Sequence, residues 1–423
     1  MEDGERRQVS EQPALQAALC DEPDATVVES ERIEFASYPY EWPPEMLHAA
    51  AELTIDLCEA LLAENRGLKD ATPYNVLFRG ATPVFIDVLS FEDRDACDPV
   101  WRAYAQFWRT FLLPLLVNRH LHLPLEQLLI TRRDGLEPQE VFAWVPPLRK
   151  LLPPFLTMVS LPNWLNSKAE HKTINRYQVR RTGDPAQARF ILGHLFKNLR
   201  RKLHQLAPQQ TRSSVWSEYS RHNISYSRRE SQAKEAFVEA ALAEFPRQHV
   251  LDIGCNDGVF STMAARHRAS VVAVDSDPVV IGRLWRKASA DRLDILPLVV
   301  NLCRPSPGLG WRNSECPPFL QRARGRFDLL LALAVLHHIL VQERVPLADV
   351  ISLFAELTTD LAMIEFVGPQ DPMFRSLSRG RDELYKHLSV SVFESCCRRE
   401  FDVVRSEQVS PTRWIHLLQK KTG

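Results

Sequence analysis

The run HVLDIGCNDGVFS, residues 249–261, sets an acid inside an apolar stretch and follows it with Gly254, Gly258 and the opening turn of a helix. A strand that ends in a glycine turn can bring bare backbone N–H groups close to a ligand, since glycine has no side chain to hold that ligand off. The spacing excludes two phosphate cradles. Counted from Gly254, the second and third positions of a GxGxxG dinucleotide fingerprint are Asn256 and Val259, and no GK[ST] follows to make a P-loop. Further on, VVAVD ends in Asp275. A carboxylate at the end of a second strand can accept hydrogen bonds from both hydroxyls of a ribose. Asp252, the glycine turn and Asp275 therefore suit a nucleoside that lacks phosphates. The alternative leaves the glycines as a tight turn and Asp275 as a cap for the helix entering at Asp277 and Pro278.

Such residues need a parallel sheet to hold them. From about Ser213 the chain alternates strand and helix: HVLDIG, a helix through Ala265, SVVAVD, a helix through Lys287, DILPLVV, FDLLLALAV, LAMIEFV, FDVVRSEQV and RWIHLLQK. Alternation of this kind predicts an α/β fold, a mostly parallel sheet with helices on both faces. The last two strands, joined at Ser410 to Thr412, read as an antiparallel hairpin that closes the sheet. Upstream, a long helical pattern (PEMLHAAAELTIDLCEALLAEN), two short strand-like runs and Leu-rich, aromatic helices predict a mainly helical α+β domain. The expected division is 1–35, acidic and poorly ordered; 36–196, the helical domain; 197–212, a basic linker; and 213–423, the α/β domain. The segment VPPLRKLLPPFLTMVSLPNWL has five prolines and cannot be one regular helix; it reads as an apolar loop over a pocket or, preferably, as packing between the two domains.

Composition excludes more than it assigns. The 423 residues are 45% hydrophobic and 25% charged, with a formal net charge of −1, which speaks against a dedicated nucleic-acid binder. Residues 197–234 do hold nine Lys or Arg against two Glu, a run that reads as a solvated helix and linker or as an anion-binding stretch. Eight cysteines form no CxxC pair and no zinc spacing, so a cytoplasmic location and no metal are expected. MEDGERRQVSEQ lacks the apolar core of a signal peptide, and FDLLLALAVL is about half the length a bilayer requires, so no membrane span is expected.

VLDIGCNDG followed by an acid after the second strand resembles the first motifs of the class I S-adenosylmethionine-dependent methyltransferases. The resemblance covers roughly residues 213–423 and implies a Rossmann-like domain with that cofactor. It places Gly254, Cys255, Asn256 and Gly258 along the methionine part and Asp275 on the ribose; Asp252 and Asn301 complete the expected cofactor set. Methyl transfer from a sulfonium is an in-line displacement, so the protein must align an acceptor and, for a hydroxyl or ammonium, remove a proton. The candidates lie beyond strands four and five: His337 and His338 from VLHHI, and Glu365 from MIEFV. A histidine titrates near working pH, while the plainer alternative has one ring facing the core and the other capping the strand. Trp311, in the loop before the fourth strand, offers a flat face for an acceptor. No Asn-Pro-Pro-Tyr or Asp-Pro-Pro-Tyr run follows the fourth strand, which disfavours base methylation.

The N-terminal half adds a second likeness. In LKDATPYNVLFRGATPVFIDVLSFE, Asp70 and Asn75 have D-x4-N spacing and Asp87 follows in a predicted strand, as in a kinase catalytic loop, with a chance hairpin as the alternative. Residues 1–68 contain no lysine and only Gly4 and Gly67, and Asp87 lacks a following Phe-Gly, so phosphoryl transfer is not expected. SYPYEWPP, LKDATPYNVLF, VLDIGCNDGVFS, PSPGLGW, LALAVLHHI and IEFVGPQDPMF together resemble a bacterial family of two-part class I methyltransferases with a member in rhizobial nodulation. That implies a small-molecule or glycan acceptor, such as a lipo-chitooligosaccharide. Cys303 and Arg304 stand where an acid would be expected at the adenine edge. Two other readings remain: an RNA methyltransferase using the basic run, and a non-catalytic Rossmann-like assembly module.

Overall fold

The computed structural model of the protein describes the backbone of Arg6–Gln8 and Thr26–Val28 and residues 31–169, 181–209, 214 and 228–421. Met1–Ala36 forms one unit, in which strands β1 (Arg6–Gln8) and β2 (Thr26–Val28) pair antiparallel. Most of the acidic stretch 1–35 lies outside the described residues.

Ser37–Gly423 forms the second unit. It begins with helix α1 (Pro44–Ala63), which starts on Pro44 at its first position, where a missing N–H costs nothing. Its buried face, including Met46, Ala50, Thr54, Leu61 and Leu62, follows the helical period. Strands β3 (Arg66–Leu68) and β6 (Phe91–Asp93) enclose a hairpin of β4 (Val76–Arg79) and β5 (Thr82–Phe85). Helices α2 (Leu113–Leu121), α3 (Leu125–Thr131), α4 (Pro138–Trp144), α5 (Leu161–Ala169) and α6 (Pro185–Gln205) follow.

Helix α6 runs through the expected boundary at residue 196, so the first part of the predicted 197–212 linker is helical. The cause is visible in the chain: Leu192, Phe196, Leu199 and Leu203 are buried at three- and four-residue spacings, which makes one apolar stripe. The polyproline segment also differs from expectation. Leu148, Leu151, Leu152 and Leu165 are exposed, so this segment does not fill an interface between domains.

Helix α7 (Arg228–Glu244) leads into the alternating half: β7 (His249–Ile253), α8 (Val259–Arg266), β8 (Ser270–Asp275), α9 (Pro278–Asp291), β9 (Ile295–Val299), β10 (Phe327–Ala332), α10 (Leu347–Leu357), β11 (Thr358–Val367), α11 (Pro372–Ser378), α12 (Val390–Cys397), β12 (Phe401–Ser410) and β13 (Arg413–Lys420). The sheet order is β12-β13-β11-β10-β7-β8-β9. Strands β7 to β11 run parallel, and β13 is antiparallel to both β11 and β12, which is the predicted closing hairpin. The parallel strands are buried along their length, as strands covered on both faces must be. The N-terminal helices pack on the same unit: the Glu45 carboxylate pairs with Arg286, and Trp285 Nε1 donates to the Ala81 carbonyl at 3.1 Å.

Candidate functional site

The chain order reverses on either side of β7, which lies between β8 and β10. In an open α/β sheet the crevice for a ligand forms at that reversal, outside the carboxyl ends of the strands. Gly254, just past β7, has φ +70, and its N–H donates to the Val274 carbonyl at 2.8 Å. A Cβ built on it would lie 2.8 Å from the Val335 side chain, so the turn has room for glycine only. Gly258, φ +75, caps α8 and abuts Leu284.

A cavity of about 360 Å³ opens here, within the range that small-molecule ligands occupy. Its wall includes Asp252, Gly254, Cys255, Asn256, Asp275, Asn301, His337 and His338. Six residues of the expected cofactor set thus meet around one space, with Gly258 supporting the turn from outside it. Each Asp275 oxygen accepts one backbone hydrogen bond, from Asn256 N at 3.1 Å and from Asp277 N at 3.0 Å. A carboxylate has about four lone-pair positions, so two remain for a diol. The helix cap belongs to Asp277, whose Oδ1 accepts from Val279 N at 2.8 Å. Asp252 is buried beneath the turn and accepts from Ser261 Oγ at 2.5 Å. Burial pushes both carboxyls up to about 6, opposed by the hydrogen bonds each receives.

Asn301 lies two residues beyond β9, next to Val300, whose N–H donates to the Asp275 carbonyl at 2.9 Å. Asn301 Oδ1 accepts from Cys303 N at 2.9 Å and Arg304 N at 3.2 Å, and Arg304 pairs with Glu343 at 2.8 Å. Glu343 also lines the cavity, an acid that reaches Asn301 Nδ2 at 3.4 Å from a different segment.

The fourth strand stops at Ala332, earlier than predicted, and the two histidines sit on a helical turn, Leu336–His338. His337 is 2% exposed, and neither of its ring nitrogens has a hydrogen-bond partner. Burial, then His338, Arg413 and Lys234, holds its pKa well below the usual histidine value, so the ring is neutral. His338 Nδ1 lies 3.1 Å from Gln342 Oε1.

Two expected acceptor residues lie elsewhere. Glu365 is fully buried within β11 outside the cavity lining, where it bonds Lys234 Nζ at 2.6 Å and lies 3.5 Å from Arg413 Nη1. Its oxygens serve an ion-pair network, so it positions the cation and does not face an acceptor. Trp311 is 76% exposed and is not part of the wall. Lys234 was missed, read as one more charge in a solvated run. It lies on α7, lines the cavity, and its ammonium stands 5.0 Å from the Phe260 ring centroid. The fixed cation next to an aromatic and a buried carboxylate left no local pattern in the sequence.

Asp87 precedes the turn Val88–Ser90 and is not in a strand as predicted. Asn75 Nδ2 donates to Ser90 Oγ at 3.3 Å, and the Ser90 hydroxyl donates to Asp87. Among the described residues no group of three His, Cys, Asp or Glu side chains is placed to hold a metal, and no helix is long and apolar enough to cross a membrane.

Residues 192–356 match a family model described as a methyltransferase domain. With this sheet order and glycine turn, the protein is a class I methyltransferase, and S-adenosylmethionine is its methyl donor. The residues present fit that cofactor: two acceptor positions are left on Asp275, and the buried Asn256 Oδ1 has no partner. Over nearly its whole length the chain is similar to the nodulation protein NoeA of Rhizobium meliloti (strain 1021), at 27% identity over 399 residues, 91% of this chain and 80% of that protein. Solved structures to which it is similar include two methyltransferases. One is the N-methyltransferase NodS from Bradyrhizobium japonicum WM9 in complex with S-adenosyl-L-homocysteine, at 12% identity and TM-score 0.35, covering 53% of this chain and 98% of that one. The other is the magnesium protoporphyrin IX methyltransferase ChlM from Synechocystis PCC 6803, at 17% identity and TM-score 0.35, covering 54% and 95%.

Proposed function

We propose that the protein methylates a hydroxyl or amine of a small-molecule or glycan acceptor, with Asp252, Gly254, Cys255, Asn256, Asp275 and Asn301 holding the cofactor and His337 receiving the acceptor's proton. The cofactor, when bound, supplies an electrophilic methyl group. The observation that carries the reading is His337: a buried imidazole with neither ring nitrogen hydrogen-bonded, on the wall that also carries Asp275. A buried polar ring without a partner costs about 1–3 kcal/mol, a cost relieved when a donor arrives. An acceptor O–H or N–H is such a donor, and its proton passes to a ring nitrogen as the new bond to carbon forms. His338, 4.2 Å away ring to ring and tied to Gln342, keeps the imidazole in place.

Similarity to a nodulation protein over 91% of the chain supports a glycan signal as the acceptor class. The RNA reading has less support, because cations of the basic run are engaged internally: Arg200 with Asp56 and Glu59, Lys202 over the Trp108 ring, Lys234 with Glu365. The assembly-module reading has no account of why two acids and a partnerless imidazole converge on one cavity.

The test is a calorimetric titration with S-adenosylmethionine and S-adenosylhomocysteine, followed by methyl transfer to chitooligosaccharide acceptors. Binding that Asp275→Ala weakens by about 1–3 kcal/mol supports the site. Folded protein that binds neither compound overturns it, and transfer to RNA in preference to glycans overturns the acceptor class.

A further inference from the structure

The polyproline segment, singled out by its composition and not used by the catalytic cavity, forms a surface of its own. Leu148 is 81% exposed, Leu165 66%, Leu151 60% and Leu152 58%, with Leu161, Trp164 and Trp144 more than a third exposed. Buried Phe155, Met158 and Val159 anchor the segment from beneath, and Trp108 Nε1 donates to the Met158 carbonyl at 3.2 Å. The exposed leucines come from two stretches that one ring ties together: Phe142 lies 3.9 Å from Lys150 Nζ and 6.3 Å, centroid to centroid, from Trp164. So many large apolar side chains on one face exceed what a protein surface normally leaves to water.

Charge decides what covers this face. Residues 141–165 contain Arg149 and Lys150 and no Asp or Glu. The nearest carboxylates in sequence, Glu137 and Glu140, are neutralised by Arg109 at 2.6 Å and Arg132 at 3.0 Å. Leucines with half-exposed tryptophans, two cations and no anion match the boundary between headgroups and acyl chains of an anionic bilayer. A second copy of the face would bring like charges together. Five prolines prevent a spanning helix, so the segment can lie on a membrane and not cross it.

We propose that residues Trp144–Leu165 dock the protein peripherally on an anionic lipid surface. Leu148, Leu151 and Leu152 enter the acyl boundary, Trp144 and Trp164 sit at headgroup level, and Arg149, which spends one N–H on the His120 carbonyl at 3.3 Å, meets a lipid phosphate, while Lys150 stays over the Phe142 ring and adds its charge to the face.

The test is flotation of the full chain with phosphatidylcholine vesicles, with and without phosphatidylglycerol, at low and high salt. Binding is expected to the anionic vesicles, to weaken with salt, and to fall about tenfold or more in Leu148→Glu/Leu152→Glu. Both positions are exposed, so the variant is expected to keep the wild-type melting curve and cofactor affinity; should it misfold, Leu148→Gln and Arg149→Glu replace it, with smaller losses expected. No flotation of wild-type protein, or equal flotation of the folded variants, overturns the proposal. So does a concentration-dependent dimer in vesicle-free solution that the same double variant dissolves, since that assigns the face to a second copy.

Discussion

Lys234 and Glu365 stand 131 positions apart in the chain and meet at 2.6 Å, with side chains 8% and 0% exposed. Glu365 also lies 3.5 Å from Arg413, which grips Asp371 at 2.7 and 3.0 Å. Asp371 caps α11, bonding Met373 N at 2.9 Å, and Phe374 of that helix packs alongside His337 at 6.5 Å between ring centroids. A buried chain of alternating charge thus links the cavity wall to the helix beside the candidate base.

Removing the central anion is expected to cost more than removing the terminal cation. Glu365→Ala leaves both Lys234 and Arg413 buried beside an empty place, and about 3–5 kcal/mol of stability should be lost. Lys234→Ala leaves Glu365 its Arg413 partner and should cost less. Urea unfolding of the two variants checks the order; equal or reversed costs would show that the network does not hold the sheet to α7.

His337→Asn is expected to lower kcat by about 10²- to 10⁴-fold with cofactor affinity unchanged, the signature of a lost proton acceptor. His338→Asn should lower it less. A change in cofactor affinity without a change in kcat would assign His337 to the cofactor side.

Cofactor affinity should depend on pH through Asp275, pushed up to about 6 by burial. The ionised carboxylate is the full acceptor for a diol, so affinity is complete above about 6 and is lost as pH falls through that value. Calorimetry from pH 5 to 8 checks this, and Asp275→Asn should be weaker and keep only the smaller pH dependence that Asp252 contributes. The stability term runs the other way. A carboxyl raised by burial, as in Asp252 and Asp275, contributes stability at acid pH that is lost as pH rises from about 4 to about 6.

Gly254→Ala should destabilise the folded protein by about 1–3 kcal/mol and weaken cofactor binding, because φ +70 and the 2.8 Å approach of Val335 both oppose a Cβ. Adding Val335→Ala should restore part of the loss by removing the clash, while the backbone strain stays. Thermal unfolding of both variants measures the two shares.

Asp87→Ala should leave magnesium-dependent ATP binding where it starts, at none, since Asp87 and Asn75 are bound to Ser90 and residues 1–68 contain no lysine. Filter binding with labelled ATP decides it; binding that the variant abolishes would restore the kinase-like reading.

The glycine turn and the sheet that carries it could be read along the chain. HVLDIG, the two glycines and Asp275 lie within 27 residues, and each acts through local rules: apolar period, positive φ, a carboxylate at a strand end. Helix α6 was legible in the same way, through its stripe of Leu192, Phe196, Leu199 and Leu203, although its charges suggested a linker. Which charges are spent was not legible there, because it depends on partners far apart in the chain. Glu365 and Lys234 become an ion pair across 131 positions, and Glu343 comes within 3.4 Å of Asn301 Nδ2 from 42 positions further on. Likewise, the leucines of the polyproline segment carry no mark of being outside. Composition fixes how apolar a segment is, while the neighbours that cover it or leave it bare come from distant parts of the chain.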